Sequence, residues 1–145
     1  MKALTIWQPW ASFIALGLKN YETRGWATSY RGPLAIHAAK RPIKVDGDVV
    51  QMISTYKAET DGAHYQELFV SAPLGAIIAV CELVDCVAMT PEFIEQQTPL
   101  ERAVGFWSQG RYALKLAGVQ PLAVPFLVSG RQGLWNVPES VVKQL

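Results

Sequence analysis

Apolar and polar positions alternate with a period of two over several short stretches and recur near a period of 3.6 over two others. Lys2 to Ile6 reads as a short strand, with Ala3 and Thr5 on one face and Leu4 and Ile6 on the other. Trp10, Phe13, Ile14 and Leu18 then recur at helical spacing behind Pro9, which suits a first helical turn, and Gly17 stands where a helix ends. Tyr21 to Trp26 reads as a polar strand, Thr28 to Gly32 as a turn, and Pro33 to Ala38 as an apolar strand ending near His37. From Lys44 to Val70 the pattern turns helical: Val45, Val49, Met52, Ile53 and Tyr56 make one stripe, with Asp46 and Asp48 in the first turn.

Gly75 to Val87 is the strongest strand signal, long and continuous enough for a curved strand of a small barrel; Glu82 interrupts it, facing either solvent or a cavity. Thr90 and Pro91 open a short helix. Gly105 to Gly110 forms a loop carrying Phe106 and Trp107, and Arg111 to Ala117 alternates cleanly. Val119 to Val128 holds Pro121 and Pro125, which predicts an edge or irregular strand. Ser129 to Gly133 makes a turn, Leu134 to Val137 a last strand, and Pro138 starts a terminal helical cap. Six short strands with peripheral helices predict an α+β fold, a small mixed β-barrel.

Composition narrows the class. The 145 residues suit one domain, residues 1–145, and a hydrophobic share of 50% with 17% charged excludes a disordered chain. Cys81 and Cys86, five apart, fall on opposite faces of one strand and predict no disulfide. No His or Cys spacing suits zinc, so no metal or cofactor is expected. The chain shows no signal-peptide pattern and no apolar run of membrane length, so a cytoplasmic protein off the membrane is expected.

The net charge is only +1, but its distribution is uneven. Residues 1–44 carry seven Lys/Arg against one acid, residues 45–101 one against ten, and residues 102–145 five against one. If the two basic ends meet in the fold, they form a basic cleft on a nearly neutral molecule.

The candidate chemistry lies between Trp7 and Trp26. On an extended strand, Glu22, Arg24 and Trp26 share a face: an acceptor, a planar cation and an aromatic plane, suited to a nucleobase or nucleotide. Lys19, Arg31 and Lys40 could meet phosphates, Trp7 or Trp26 could stack on a base, Gln8 could read a base edge, and Arg111 could close the far wall. Arg24 could pair with Glu22, and His37 lies close to Lys40 and Arg41. The alternatives are a surface salt-bridge cluster for residues 19–24, a structural histidine, and core packing for Trp26 and Trp135.

The segments LTIWQPWASFIALGLKNYETRGW, YRGPLAIHAAKRP, GAIIAVCELVDCV, GRYALKL and GRQGLWNVP, in that order, resemble the ASCH (activating signal cointegrator homology) domain. The likeness runs from about Leu4 to Pro138 and is nearest to cointegrator-type and stand-alone prokaryotic and phage members. It implies a PUA-like barrel and a cleft associated with RNA or DNA binding. Some members are amidohydrolases acting on acetylated cytidine; their lysine matches Lys19, but their catalytic threonine falls on Glu22, and others have been assigned ribonuclease activity. If this chain is an enzyme, Lys19 and Glu22 are the residues to carry it, although a nearby carboxylate would hold Lys19 as ammonium and favour recognition. The expected partner is single-stranded nucleic acid or a nucleotide, with a protein partner as a further option.

Overall fold

A computed structural model describes residues 1–145. Six strands form one sheet: β1 (Lys2–Ile6), β2 (Tyr21–Arg24), β3 (Gly32–Ala38), β4 (Ala76–Ala88), β5 (Tyr112–Leu127) and β6 (Leu134–Asn136). Their spatial order is β2-β5-β4-β3-β1-β6, with β1 and β3 parallel and every other pair antiparallel. The sheet curls into a half-barrel, as in a PUA-like fold, and Leu4, Ile36, Ile78, Leu83 and Leu114 fill its inside together with Ala11 and Ile14 of the first helix.

That helix, α1 (Trp10–Ala15), follows a cis Gln8–Pro9 bond and starts one residue later than the proline suggests. It stops because Gly17 adopts a φ of 76°, a left-handed turn that costs a side-chain-bearing residue energy. Helix α2 (Gly47–Thr60) begins at Asp46, whose carboxylate accepts from the Val49 amide at 3.0 Å. It buries Val49, Met52 and Tyr56 against Phe13 and Leu68, the latter on a π-helical turn at Gln66–Val70. Val45, counted on the stripe, lies outside the helix and is exposed.

Two short helices follow β4, α3 (Pro91–Glu95) and α4 (Pro99–Ala103), capped by Thr90 and Thr98. Only the first of them is among the elements expected above from the sequence. A terminal turn, α5 (Glu139–Val142), packs Val141 and Val142 against a third cluster with Trp135 and Val137.

One expectation about the long strands changes, and another holds. Residues 119–127 continue β5 and run along an edge with shifted register, as their two prolines predict. β2 pairs with β5 only at Tyr112–Lys115, so farther along the outer edge of β5 has no strand partner and prolines there break no outer ladder. The register against β4 absorbs the disturbance: Ile77 faces Phe126, but Ala79 faces Pro121. The last of three register shifts, between Leu83 and Asp85, resets the alternation of β4, so Cys81 and Cys86 both pack on the main core cluster instead of facing opposite ways. Both thiols are free, and Glu82 points to solvent.

Candidate functional site

At one end of the half-barrel, a cleft of about 1780 Å³ opens between the turn after β1, the strand β2, the start of α2, the loop 104–107 and the turn 129–133. Of the residues singled out in the sequence, Trp7, Gln8, Lys19, Glu22, Arg24, Trp26, His37, Lys40 and Arg111 line it. Arg31 does not: it sits away from the cleft, exposed, 3.7 Å from Asp85 and hydrogen-bonded to the carbonyls of Thr28 and Tyr30. The cleft is lined by eight Lys/Arg and three Asp/Glu residues. Those cations come from residues 19–44 and 102–131, so the two basic ends of the chain do meet there.

The floor is built on β2. Alternation puts Glu22 and Arg24 on one face, and the guanidinium donates from Nε (3.1 Å) and Nη2 (2.8 Å) to Glu22 Oε2. Nη2 also donates to the Thr5 carbonyl at 3.1 Å, tying β2 to the end of β1, and the guanidinium stands 5.9 Å from the Trp26 ring centroid. The other carboxylate oxygen, Glu22 Oε1, accepts from the Thr23 amide at 3.2 Å and lies 3.7 Å from Lys19 Nζ.

Lys19 is buried, with 1% of its surface exposed, and donates to the Val104 carbonyl at 2.6 Å. Burial lowers its pKa, and Glu22 and Glu101 oppose that shift without reversing it. The neighbouring carboxylate therefore does not dominate, contrary to the reading from sequence spacing. Desolvation of a wholly enclosed ammonium outweighs a partner 3.7 Å away.

Sequence reasoning missed Glu101. It is buried in α4, and its carboxylate accepts from the amides of Asn20 (2.9 Å) and Tyr21 (3.4 Å), the residues that open β2. Its own carbonyl accepts from Trp107 Nε1 at 2.8 Å. The Thr98–Pro99–Leu100–Glu101 run carries a capping-box spacing that could have revealed both the helix and the acid.

Two aromatic planes stand at the mouth. Trp7 is 57% exposed with the Arg41 guanidinium 3.7 Å from its centroid, and Phe106 is 64% exposed with Arg111 at 4.2 Å. Arg111 also donates to the Phe106 carbonyl at 3.1 Å, which fixes the loop.

Gln8 is not free to read a base. Its oxygen accepts from the Ser12 amide at 2.9 Å, and its nitrogen donates to Ser12 Oγ (2.8 Å) and the Pro73 carbonyl (2.9 Å). It braces the start of α1 instead. His37 is likewise engaged: Nε2 meets the Val128 carbonyl at 2.6 Å and Nδ1 meets Thr5 Oγ1 at 3.2 Å, while Trp135 Nε1 donates to the same hydroxyl at 3.0 Å. Because the carbonyl can only accept, Nε2 carries the proton and Nδ1 accepts from Thr5. Burial lowers the His37 pKa, the Val128 bond opposes this and Lys40 adds to it. The ring anchors the 129–133 turn to the sheet; no cluster of three His, Cys, Asp or Glu side chains suited to a metal ion forms anywhere in the fold.

The ASCH domain family profile matches residues 4–125. The human and mouse activating signal cointegrator 1 proteins are each 27% identical over 139 residues, a span covering 95% of this chain and 22% of theirs. The chain thus spans about a fifth of the length of these curated relatives. No helix is long and apolar enough to cross a membrane. With the profile covering most of its length, the chain belongs to the ASCH domain family.

Proposed function

We propose that this protein is a nucleic-acid-binding module whose cleft holds single-stranded RNA or DNA, or a nucleotide. The observation that carries the reading is the concentration of eight cations against three acids in one cleft of a chain whose net charge is +1, leaving the remaining surface net negative. Two exposed aromatic planes at the same mouth supply stacking surface of the kind that single-stranded bases use, at about 1–3 kcal/mol per base. Membership of the ASCH family supports the same reading.

The test is a titration of single-stranded RNA and DNA, followed by tryptophan fluorescence, over a range of salt. Contacts to about two to four phosphates give a slope of log affinity against log salt of about −1.4 to −2.8 for single strands. Arg131→Ala weakens binding and makes the slope shallower by about 0.7. Absence of binding to either polymer refutes the reading.

The buried Lys19 favours a second reading, hydrolysis of a modified nucleoside or of RNA, with Lys19 and Glu22 as the working pair. Chromatographic appearance of product from acetylcytidine, lost in Lys19→Met, would establish it. Binding without product leaves the binding module standing.

A further inference from the structure

The charges in the cleft are arranged by depth. Lys19 and Arg24, at the floor, are both engaged with the Glu22 carboxylate. Lys40, Arg41, Lys44, Arg102 and Arg131, which line the cleft with more exposed side chains, form no ion pair with any carboxylate. The cations without a carboxylate partner therefore belong to the mouth, while at the floor two cations share the one Glu22 carboxylate.

Glu22 has a specific unmet capacity. Arg24 donates to Oε2 from both Nε and Nη2, whereas Oε1 accepts only one amide at 3.2 Å and lies 3.7 Å from an ammonium. A carboxylate oxygen has room for a further donor. The side chain keeps 8% of its surface exposed and lines the cleft. A phosphate driven to this depth would meet cations already engaged by Glu22, whereas the mouth offers cations with no carboxylate partner. An N–H group would be accepted.

From this layering, and resting on the binding function proposed above, we infer that the cleft takes its nucleic acid base-first. An unpaired base enters toward the floor and donates an N–H from its Watson–Crick edge to Glu22 Oε1. Its plane passes the aromatic pair at the mouth, and the flanking phosphates stay with the unpaired cations there. The ligand class is a single-stranded segment, because in a duplex that edge is occupied by the partner base. Every nucleobase carries an N–H donor on that edge, so the arrangement selects for an accessible base more than for its identity. Lys19 acts behind Glu22, holding the carboxylate in place, and does not contact phosphate.

The experiment compares three RNA hexamers of equal charge on the unmodified protein: hexauridylate, its N3-methyluridine counterpart, and an abasic hexamer. N3-methylation removes the only N–H donor of uracil and keeps the ring and the phosphates. The expected result is a loss of at least about tenfold for the methylated hexamer, the worth of one hydrogen bond to a charged acceptor, and a larger loss for the abasic one. In Glu22→Gln the ratio between uridine and methyluridine hexamers collapses toward one, because an amide can donate to O4 as well as accept. Equal affinity of the unmodified protein for the uridine and methyluridine hexamers overturns the base-first arrangement while leaving nucleic-acid binding intact. Failure of all three hexamers to bind overturns the proposed function itself.

Discussion

Replacing Glu101 with alanine tests whether the floor of the cleft is held from outside β2. Glu101 is 4% exposed, and its carboxylate accepts from two backbone amides, at 2.9 Å from Asn20 and a longer 3.4 Å from Tyr21. Losing a hydrogen bond to a charged acceptor costs about 1.5–3 kcal/mol. The longer bond adds little, and Asn20 is exposed enough for water to replace part of what is lost. The expected destabilisation is therefore about 2–3 kcal/mol. With about 2.1 cal/mol/K of unfolding entropy per residue, a chain of 145 residues loses about 7–10 °C of Tm. Urea unfolding gives the free energy, and hydrogen exchange locates it: the Asn20 and Tyr21 amides should exchange faster than those in β3 and β4. Glu101→Gln keeps an acceptor and should recover part of the loss, while the pKa of Lys19 falls further because one of the groups raising it is neutralised. A loss below about 0.5 kcal/mol, with unchanged exchange at β2, would refute the view that α4 positions this strand.

Further outcomes follow from other parts of the fold. The His37 pKa is lowered in the folded state, chiefly by burial, so the unfolded chain binds its proton first. Stability should be fully present above about pH 6.5 and decline as pH falls below it, and the slope in urea titrations should shrink in His37→Gln. Gly130→Ala would set a Cβ 2.5 Å from the His37 ring and from Thr5 Oγ1, so the 129–133 turn must move; a cost of about 1–3 kcal/mol is expected in thermal unfolding. The Cys81 thiol is pushed up to about 12 by burial, so near neutral pH it should resist a thiol reagent until the protein unfolds. The half-buried Cys86 should account for whatever labelling the native protein shows, and Cys86→Ser should remove it.

The short polar strand was legible because a period of two is a strict geometric rule, and it sets Glu22 and Arg24 side by side wherever the strand lies. The meeting of the basic ends was legible as a possibility in the charge distribution, but only the β2–β5 pairing, across roughly ninety residues of sequence, brings Arg111 to Thr23. Gln8 and His37 were misleading for one reason. Their residue types advertise ligand chemistry, and nothing local reveals that Pro73 and Val128, far away in sequence, consume their donors. Arg31 was a matter of direction, since a turn between two strands can send its side chain either way. The helix α4 is too short for periodicity to register, and Glu101 passed for one more acid in an acidic segment.

The position of β2 at the sheet edge also bears on how the chain comes together in time. β1, α1 and β2 are made first, yet β2 hydrogen-bonds to no strand nearer in sequence than Tyr112–Lys115, and its opening amides wait for Glu101. Until those residues have emerged, Lys19 has no carbonyl to bind and the Glu22–Arg24 pair stands in open water. The floor of the cleft is thus completed late, by closure of one of the longest loops in the fold, a step whose entropic cost comes before any contact rewards it. A growing chain that has not reached residue 115 carries the residues of the site without the site.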